Sequence, residues 1–381
     1  MSLVVEQKEL AAVLGKVSLA VGDEKLNALS ATIRIEGDGG SLRLRSTNLS
    51  VEIEGAGPAD GELDPVCVRA DRLTGICKAL AGRSDIEMSL HGGALLLVSG
   101  SASFELPTNS SENFPQLARG EEVCSLAIEG SNLSRCIMHA VSCAATDDTR
   151  RYLSGVSVER GSIANADDAA HLTFFGGNGK KFAVREAQVN GNSASWPAII
   201  LHRDSCKLLA KLVASAGPVT LRALSAGSNR IEIAFGGYRA LFLLVDATPA
   251  PWRESFSRHG SPPGGFLHKT ADLARVVNTI SAAVDQKGDA VVRFEASAGE
   301  TSIQRNGAHA RASDQCKHEV SGSPETTSIL FSASNLADLL ANWDADDILL
   351  SPRENESAPT IITSPADPTL LGATMRLRGR A

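Results

Sequence analysis

One phrase, written six times, constrains this chain more than any other feature. A short apolar strand, a polar residue or two and a Leu-rich helical run recur. Leu3-Val4-Val5 precedes Lys8 to Leu14, Val66-Cys67-Val68 precedes Asp71 to Leu80, and Ser125 to Ile128 precedes Ser131-Asn132-Leu133 and a run to Val141. Ile199-Ile200-Leu201 precedes Asp204 to Leu209, Phe266-Leu267 precedes Thr270 to Leu273, and Ile329-Leu330-Phe331 precedes Ser334 to Leu340. Ser, Asp, Asn or Thr stands before most of these runs, as expected where a side-chain oxygen must accept an unpaired N–H at a helix start. Taking Leu10, Leu73, Leu133, Leu208, Leu273 and Leu336 as markers, the intervals are 63, 60, 75, 65 and 63 residues. Solenoid repeats are shorter, about 20–50 residues, so these units are half-domains.

Between the helical runs lie alternating, turn-punctuated segments: Leu42 to Arg45, Val51-Glu52-Ile53, Ile86 to Leu90 and Arg230 to Ile233. Each unit therefore predicts a strand, a helix and about three antiparallel strands, and the whole an α+β chain of three similar domains with two repeats each. A length of 381 residues suits two or three domains. The polar Thr108 to Pro115 and the Pro/Gly-rich Ser257 to Gly265 mark breaks, giving domains 1–119, 120–256 and 264–381. Aromatic residues are only 4% of the chain, which predicts thin aliphatic cores between two helices and two sheets.

Lys and Arg number 37 against 44 Asp and Glu, a net charge of −7, so bulk electrostatics repel nucleic acid and anionic membranes unless a local basic surface intervenes. Seven cysteines without a C-x-x-C pair read as reduced thiols of a cytoplasmic protein. Charge follows three apolar residues at the N-terminus and no apolar run approaches the roughly 18 residues of a bilayer span, so neither secretion nor insertion is expected.

Catalytic signatures are missing. Gly176 to Lys181 resembles a phosphate-binding loop, but Phe174 and Lys181 stand where a P-loop needs Gly and Ser or Thr, so a hairpin turn or partner-contact loop is expected. The eight histidines lack metal-site spacing, and Asp147-Asp148 and Asp344 to Asp347 read as solvated turns or helix caps. No G-x-S-x-G elbow is present. The chain is thus expected to be no enzyme, with neither metal nor cofactor. Positive charge gathers instead on the helical runs (Lys8, Lys16, Arg72, Lys78, Arg83, Arg135, Arg203, Lys207, Lys211, Lys269 and Arg275), although the sixth has only acids. An acidic molecule with a basic helix face could enclose a polyanion.

Several phrases resemble the bacterial sliding clamps, the beta subunits of DNA polymerase III. Val68 to Leu80 is similar to that family's second helix, Asn113 to Leu117 to the close of its first domain, Asp148 to Val156 to its D-x-R-x-Y-L-N-G segment, and Ala373 to Leu377 to its M-P-M-R-L terminus, with Arg378 to Ala381 as an extension. The resemblance extends over essentially the whole chain. It implies the DNA clamp fold and a head-to-tail homodimer that closes a ring around duplex DNA, twelve helices lining the hole and the sheets outside. Such a processivity factor is held topologically and reads no base. The backbone contacts are assigned to Arg72, Lys78, Arg150, Arg151, Tyr152, Arg203 and Lys207. An edge strand carrying Phe104 and Leu106 is assigned to ring closure. The family's second function is a pocket for short linear peptides of polymerases, the clamp loader and repair proteins. Carried over, it comprises Leu153, Gly177, Gly179, Lys181, Phe182, Pro249, Pro251, Arg253, Leu371, Thr374, Met375, Arg376 and Leu377.

Departures accompany the resemblance. Gly177 to Phe182 replaces T-D-G-H-R-L, Pro249-Ala250-Pro251-Trp252 replaces F-P-D-Y, Thr374 replaces a proline, and an Arg is missing from Val21 to Lys25. They motivate an alternative: a clamp-like protein-binding scaffold or repair-associated accessory clamp outside bulk replication.

Overall fold

The computed structural model describes residues 2–83, 85–258, 260–282, 291–306, 311–355 and 357–377. All six helical runs form helices, each behind a strand. The first repeat is β1 (Ser2–Glu6), α1 (Gln7–Val17), β2 (Thr32–Thr47) and β3 (Val51–Arg69); the second is α2 (Ala70–Ala79), β4 (Asp85–His91), β5 (Ala94–Ser99) and β6 (Ala102–Ser110). The third is β7 (Glu122–Glu129), α3 (Gly130–Val141), β8 (Gly155–Arg160), β9 (His171–Gly177) and β10 (Lys181–Gln188). The fourth is β11 (Ile199–His202), α4 (Arg203–Val213), β12 (Pro218–Leu224), β13 (Arg230–Phe235) and β14 (Tyr238–Leu243), followed by a short helix α5 (Trp252–Ser257). The fifth is β15 (Gly264–Lys269), α6 (Thr270–Ala282), β16 (Val291–Ser297), β17 (Glu300–Asn306) and β18 (Arg311–Lys317), with a short β19 (Glu319–Gly322). The sixth is β20 (Ser328–Ser332), α7 (Ala333–Leu340), β21 (Asp347–Ser351), β22 (Thr360–Thr363) and β23 (Leu370–Thr374).

The first two repeats share their strands. β2 breaks register at Ile35/Gly37 and again at Gly39/Ser41, so Thr32–Ile35 pairs with Arg69–Val66 while Ser41–Thr47 pairs with Pro58–Glu52. The last part of β3 is thus the leading strand of the second repeat, and β2 supplies two strands to the first. Gly61 makes the bend possible: its φ is +99°, and a Cβ there would lie 2.1 Å from the Ser2 carbonyl oxygen of β1.

Two compact units interleave along the sequence: unit 1 is Met1–Ser131 with Lys211–Leu244, and unit 2 is Asn132–Ala210 with Val245–Ala381. Unit 1 holds a ten-stranded sheet in the order β1-β4-β5-β6-β3-β14-β13-β12-β7, with β2 paired to β3. Unit 2 holds a nine-stranded sheet, β11-β8-β9-β10-β23-β22-β21-β15-β19, and a four-stranded one, β18-β17-β16-β20. In unit 1, α1 packs on α2, β2 and β3 and buries Leu10, Val13, Leu14 and Val17, an apolar stripe at helical spacing. In unit 2, α6 and α7 pack on each other, and α7 also lies on β10 and β23.

Three expectations change. The buried marker of α4 is Leu209, at 1% exposure, while Leu208 is half-buried, because the repeat slips by one residue there. Side-chain caps are fewer than expected: α1 and α2 follow directly from strands through Glu6 and Arg69, whose side chains cap nothing, whereas Ser332 accepts the Asn335 N–H at α7. The cores are not uniformly aliphatic. Unit 2 buries Phe174, Phe175, Phe266, Phe294, Phe331, Trp196, Trp252 and Trp343. No helix among the described residues is long and apolar enough to cross a membrane.

Candidate functional site

A cleft of about 410 Å³ opens in unit 2. Its floor is the β9–β10–β23 part of the nine-stranded sheet, where Phe182 pairs with Gly177 on one side and Ala373 on the other. Successive residues of a strand face opposite ways, so Phe174 enters the core at 0% exposure while Phe175 turns to the cleft. The ring of Phe175 stacks on Trp252 at 5.9 Å and 10°, and meets Phe182 at 5.8 Å. Arg253 covers Trp252 with its guanidinium 4.4 Å from the ring centroid. That guanidinium is fixed by donating to the carbonyl oxygens of Ser162 (2.6 Å) and Ile163 (3.1 Å) and to Thr173 Oγ1 (3.0 Å). Trp252 is thus held by two planar groups, the Phe175 ring and the Arg253 guanidinium, and the hollow beside it has rigid walls.

The β9–β10 turn forms the next wall. Asn178 Oδ1 accepts the N–H groups of Lys180 (2.9 Å) and Lys181 (3.1 Å), and Gly179 adopts φ +86°. Those N–H groups are committed inside the turn, so the Gly-rich stretch is a hairpin turn, as expected from its mismatch with a phosphate-binding loop. Arg150 Nη2 donates to the Asn178 carbonyl at 2.6 Å, and a Cβ on Gly179 would lie 2.6 Å from Arg150 Nη1, so glycine leaves room for the guanidinium. Met375 reaches the cleft because its N–H donates to the Lys180 carbonyl at 2.7 Å, extending β23 pairing past the strand end. Lys181 is buried and ion-paired with Asp338 of α7.

Of the thirteen residues assigned to a pocket, Leu153, Gly177, Gly179, Lys181, Phe182, Pro251 and Met375 line this cleft. The other six do not. Leu371 packs in the cluster beneath it with Leu153, Phe175 and Trp252, and Arg253 braces Trp252 from behind. Pro249 is half-buried, Thr374 is fully buried, Arg376 donates to the Glu354 carbonyl at 3.2 Å, and the Leu377 N–H donates to the Leu330 carbonyl at 2.9 Å. Arg378 to Ala381 lie outside the described residues. Sequence reasoning missed Phe175, Trp252, Lys180, Ala250, Ser255, Arg258, Ser357, Pro359 and Ala373. Strand alternation at Phe174-Phe175 was the available signal for the first. For the second it was a Trp directly after the divergent Pro249-Ala250-Pro251.

The residues assigned to DNA divide. Arg150 and Tyr152 line the cleft. Arg72 and Lys78 are exposed on α2, as is Lys207 on α4, and Arg151 is also exposed. Arg203 is held by Asp148, with Nη1–Oδ1 at 2.5 Å, and His202 Nε2 lies 3.3 Å from the same oxygen. These partners keep the Asp148 carboxyl below its ordinary pKa. In unit 1, Glu24 of the divergent loop pairs with Arg69, which also meets Asp71 at 3.2 Å. Phe104 and Leu106 lie on β6, where residues 102–107 pair only with β5; β6 meets β3 only at Thr108–Ser110, so this stretch is an open edge among the described residues.

The remaining acids are structural: Asp344 pairs with Arg185 at 2.5 Å and Arg135 at 3.4 Å, and Asp147 accepts the Thr149 N–H at 3.0 Å. All seven cysteines are buried and none is in a disulfide, and no cluster of His, Cys, Asp or Glu suited to a metal occurs among the described residues.

Comparison with known proteins places this geometry. A family model described as the N-terminal domain of the DNA polymerase III beta subunit matches residues 1–118. The beta sliding clamp of Caulobacter vibrioides is 23% identical over 385 residues, 99% of this chain and 100% of that protein. That of Vibrio cholerae is 21% identical over 380 residues, again 99% and 100%. A sliding clamp of Pseudomonas aeruginosa solved bound to griselimycin superposes with a TM-score of 0.89 at 20% identity, over the full length of both chains. The beta subunit of Thermotoga maritima gives 0.83 at 18%, also over both full lengths. The chain carries the DNA clamp fold.

Proposed function

We infer that this chain, a divergent homologue of the bacterial beta sliding clamps, is itself a DNA sliding clamp: a non-enzymatic processivity factor of the cytoplasm that encircles duplex DNA and recruits proteins through the unit 2 cleft. The observation that carries this is the strand–helix–strands repeat written six times in one chain, together with sequence similarity to beta sliding clamps from end to end. Grouped in pairs, the repeats make three domains, 1–119, 120–256 and 264–381. Two chains then supply six domains, enough to close a head-to-tail ring.

Encirclement needs no tight binding site. A topologically linked ring is retained by weak phosphate contacts, and sliding is easiest when those contacts read no base. The exposed Arg72, Lys78, Arg151 and Lys207 support that role. The open edge at residues 102–107, carrying Phe104 and Leu106, supports ring closure by strand pairing. The rigid aromatic cleft supports capture of short linear peptides, whose apolar anchors fill a preformed hollow. Polymerase and clamp-loader subunits are the expected owners of those peptides.

One observation favours the second reading, an accessory clamp or scaffold. Pairing of Arg203 with Asp148 and of Arg69 with Glu24 neutralises cations beside the segments assigned to DNA. A single experiment tests both. Light scattering over a dilution series is expected to give a mass near twice 39.9 kDa, and protein loaded on circular plasmid is expected to stay until the plasmid is linearised. A dimer that runs off circular and linear DNA alike supports the scaffold; a monomer throughout overturns the ring.

A further inference from the structure

We propose that the peptides this cleft selects are acidic, with Asp or Glu beside the apolar anchors and within reach of Arg150 and Arg258. This rests on the peptide-binding role inferred above and adds the chemistry of the occupant. Arg150, Lys180, Lys181 and Arg258 line the cleft, and no Asp or Glu does among the described residues. The bias runs against a chain whose net charge is −7.

Lys181 is buried and committed to Asp338. Arg150 and Arg258 are exposed at the rim. Arg150 donates to the Asn178 carbonyl, a neutral acceptor that orients the guanidinium, and among the described residues it makes no ion pair, although its charge is felt by the exposed Asp147 carboxylate. Orientation is what a planar fork needs to take a carboxylate through two parallel N–H donors. Between these cations the walls are Phe175, Trp252, Phe182 and Met375. A carboxylate flanking an apolar side chain meets both features, a lysine in its place meets like charge at the edge of an apolar hollow, and a bare phosphodiester leaves the aromatic floor unused.

The test uses the full chain and three fluorescein-labelled peptides that share one Leu-Phe pair, flanked by Asp-Glu, Asn-Gln or Lys-Lys. Fluorescence anisotropy at about 150 mM salt is expected to rank the acidic peptide about fivefold tighter than the amide one, with the basic peptide weakest. Arg150→Gln and Arg258→Gln, both on exposed residues, are expected to abolish the advantage of the acidic peptide over the amide one. Equal binding of all three peptides overturns the proposal and leaves the peptide-binding role standing. No binding of any peptide at about 1 mM removes that role and the proposal with it. Displacement of the acidic peptide by duplex oligonucleotide assigns the two guanidiniums to DNA instead, and likewise overturns the proposal.

Discussion

Unit 1 and unit 2 are built from the same repeat and differ in where they keep their rings. Unit 1 has Phe104, Phe114, Phe235, Tyr238 and Phe242; every other aromatic residue, including Trp196, Trp252 and Trp343, belongs to unit 2. The core of unit 1 is sealed by Leu3, Leu10, Ile33, Ile35, Leu42, Leu44, Ile53 and Leu73, all at 0% exposure. Branched aliphatic side chains interdigitate and leave little room for a ligand. A ring held in place, as Trp252 is by Phe175 and Arg253, resists collapse into the space beside it. Unit 2 builds much of its core and the walls of its cleft from aromatic rings, where unit 1 relies mainly on aliphatic side chains around a few rings such as Phe242.

The sharpest way to break this contrast is to remove one buried side chain from each unit. Trp252→Ala is expected to cost about 3–5 kcal/mol and to abolish peptide binding, because the cleft loses a wall. Leu73→Ala in α2 is expected to cost about 2–5 kcal/mol and to leave peptide affinity unchanged. Urea unfolding with a parallel anisotropy titration measures both. Intact peptide binding in Trp252→Ala would show that the rings do not shape the cleft.

Acid separates the units next. Burial holds His139 and His268 of unit 2 at pKa values of about 4, well below an ordinary imidazole, and the neighbouring His318 adds to the effect on His268. Unit 1 has a single exposed histidine, His91. A depressed base is neutral in the native state while the unfolded chain takes up a proton, so stability is full above about pH 6.5 and falls as pH drops towards 4. Each buried histidine is expected to withdraw up to about 3 kcal/mol over that window. Hydrogen exchange at pH 7 and pH 5, each rate divided by the intrinsic rate of an unfolded amide at that pH, is expected to show lower protection at pH 5 in β15, α6 and α3 with little change in β1 to β5. Equal acceleration in both units would show that burial of these imidazoles does not govern the acid response.

A smaller effect probes the cation inside the cleft wall. Asp338→Ala leaves the Lys181 ammonium buried without its partner and is expected to cost about 1–2 kcal/mol, moderated because Asp338 itself is half exposed. Lys181→Met with Asp338→Ala is expected to recover most of that loss, since methionine fills the lysine's volume without a charge to desolvate. Thermal unfolding of the single and double variants checks it.

How legible this was follows from the range over which each feature is encoded. The repeat is local: strand, helix and turn signals lie within some 60 residues, and every marker fell in a helix, with one slipped from Leu209 to Leu208. The bend that lets β2 and β3 serve two repeats was not read, because it depends on Gly61 meeting Ser2 across the sheet. Of the pocket residues carried over from the resemblance, Gly177, Lys181 and Phe182 reach the cleft on β9 and β10, Leu153 from the turn before β8 and Met375 from just past β23. The fate of the charges was least legible, since Lys181 finds Asp338 and Arg185 finds Asp344 and Asp367 more than 150 residues away. Such partners decide whether a cation is a contact or a strut, and residue identity alone is silent on it.

Helix starts give the finest test of the contrast between units. The sequence places capping residue types before most helices, yet the strands of unit 1 run into α1 and α2 through Glu6 and Arg69, which cap nothing. In unit 2, Ser332 Oγ accepts the Asn335 N–H at 3.4 Å and also meets Ser334 Oγ at 2.9 Å. A strand that enters a helix in extended conformation delivers its last residue to the cap position whatever its side chain, so sheet pairing fixes the start of α1 and a hydroxyl refines that of α7. Ser332→Ala is therefore expected to cost about 1 kcal/mol, and Glu6→Ala, exposed on β1, only a few tenths. Chemical denaturation with a shared m-value resolves the difference. Equal costs at the two positions would mean that the long 3.4 Å cap bond contributes nothing, and that strand pairing sets both helix starts alike.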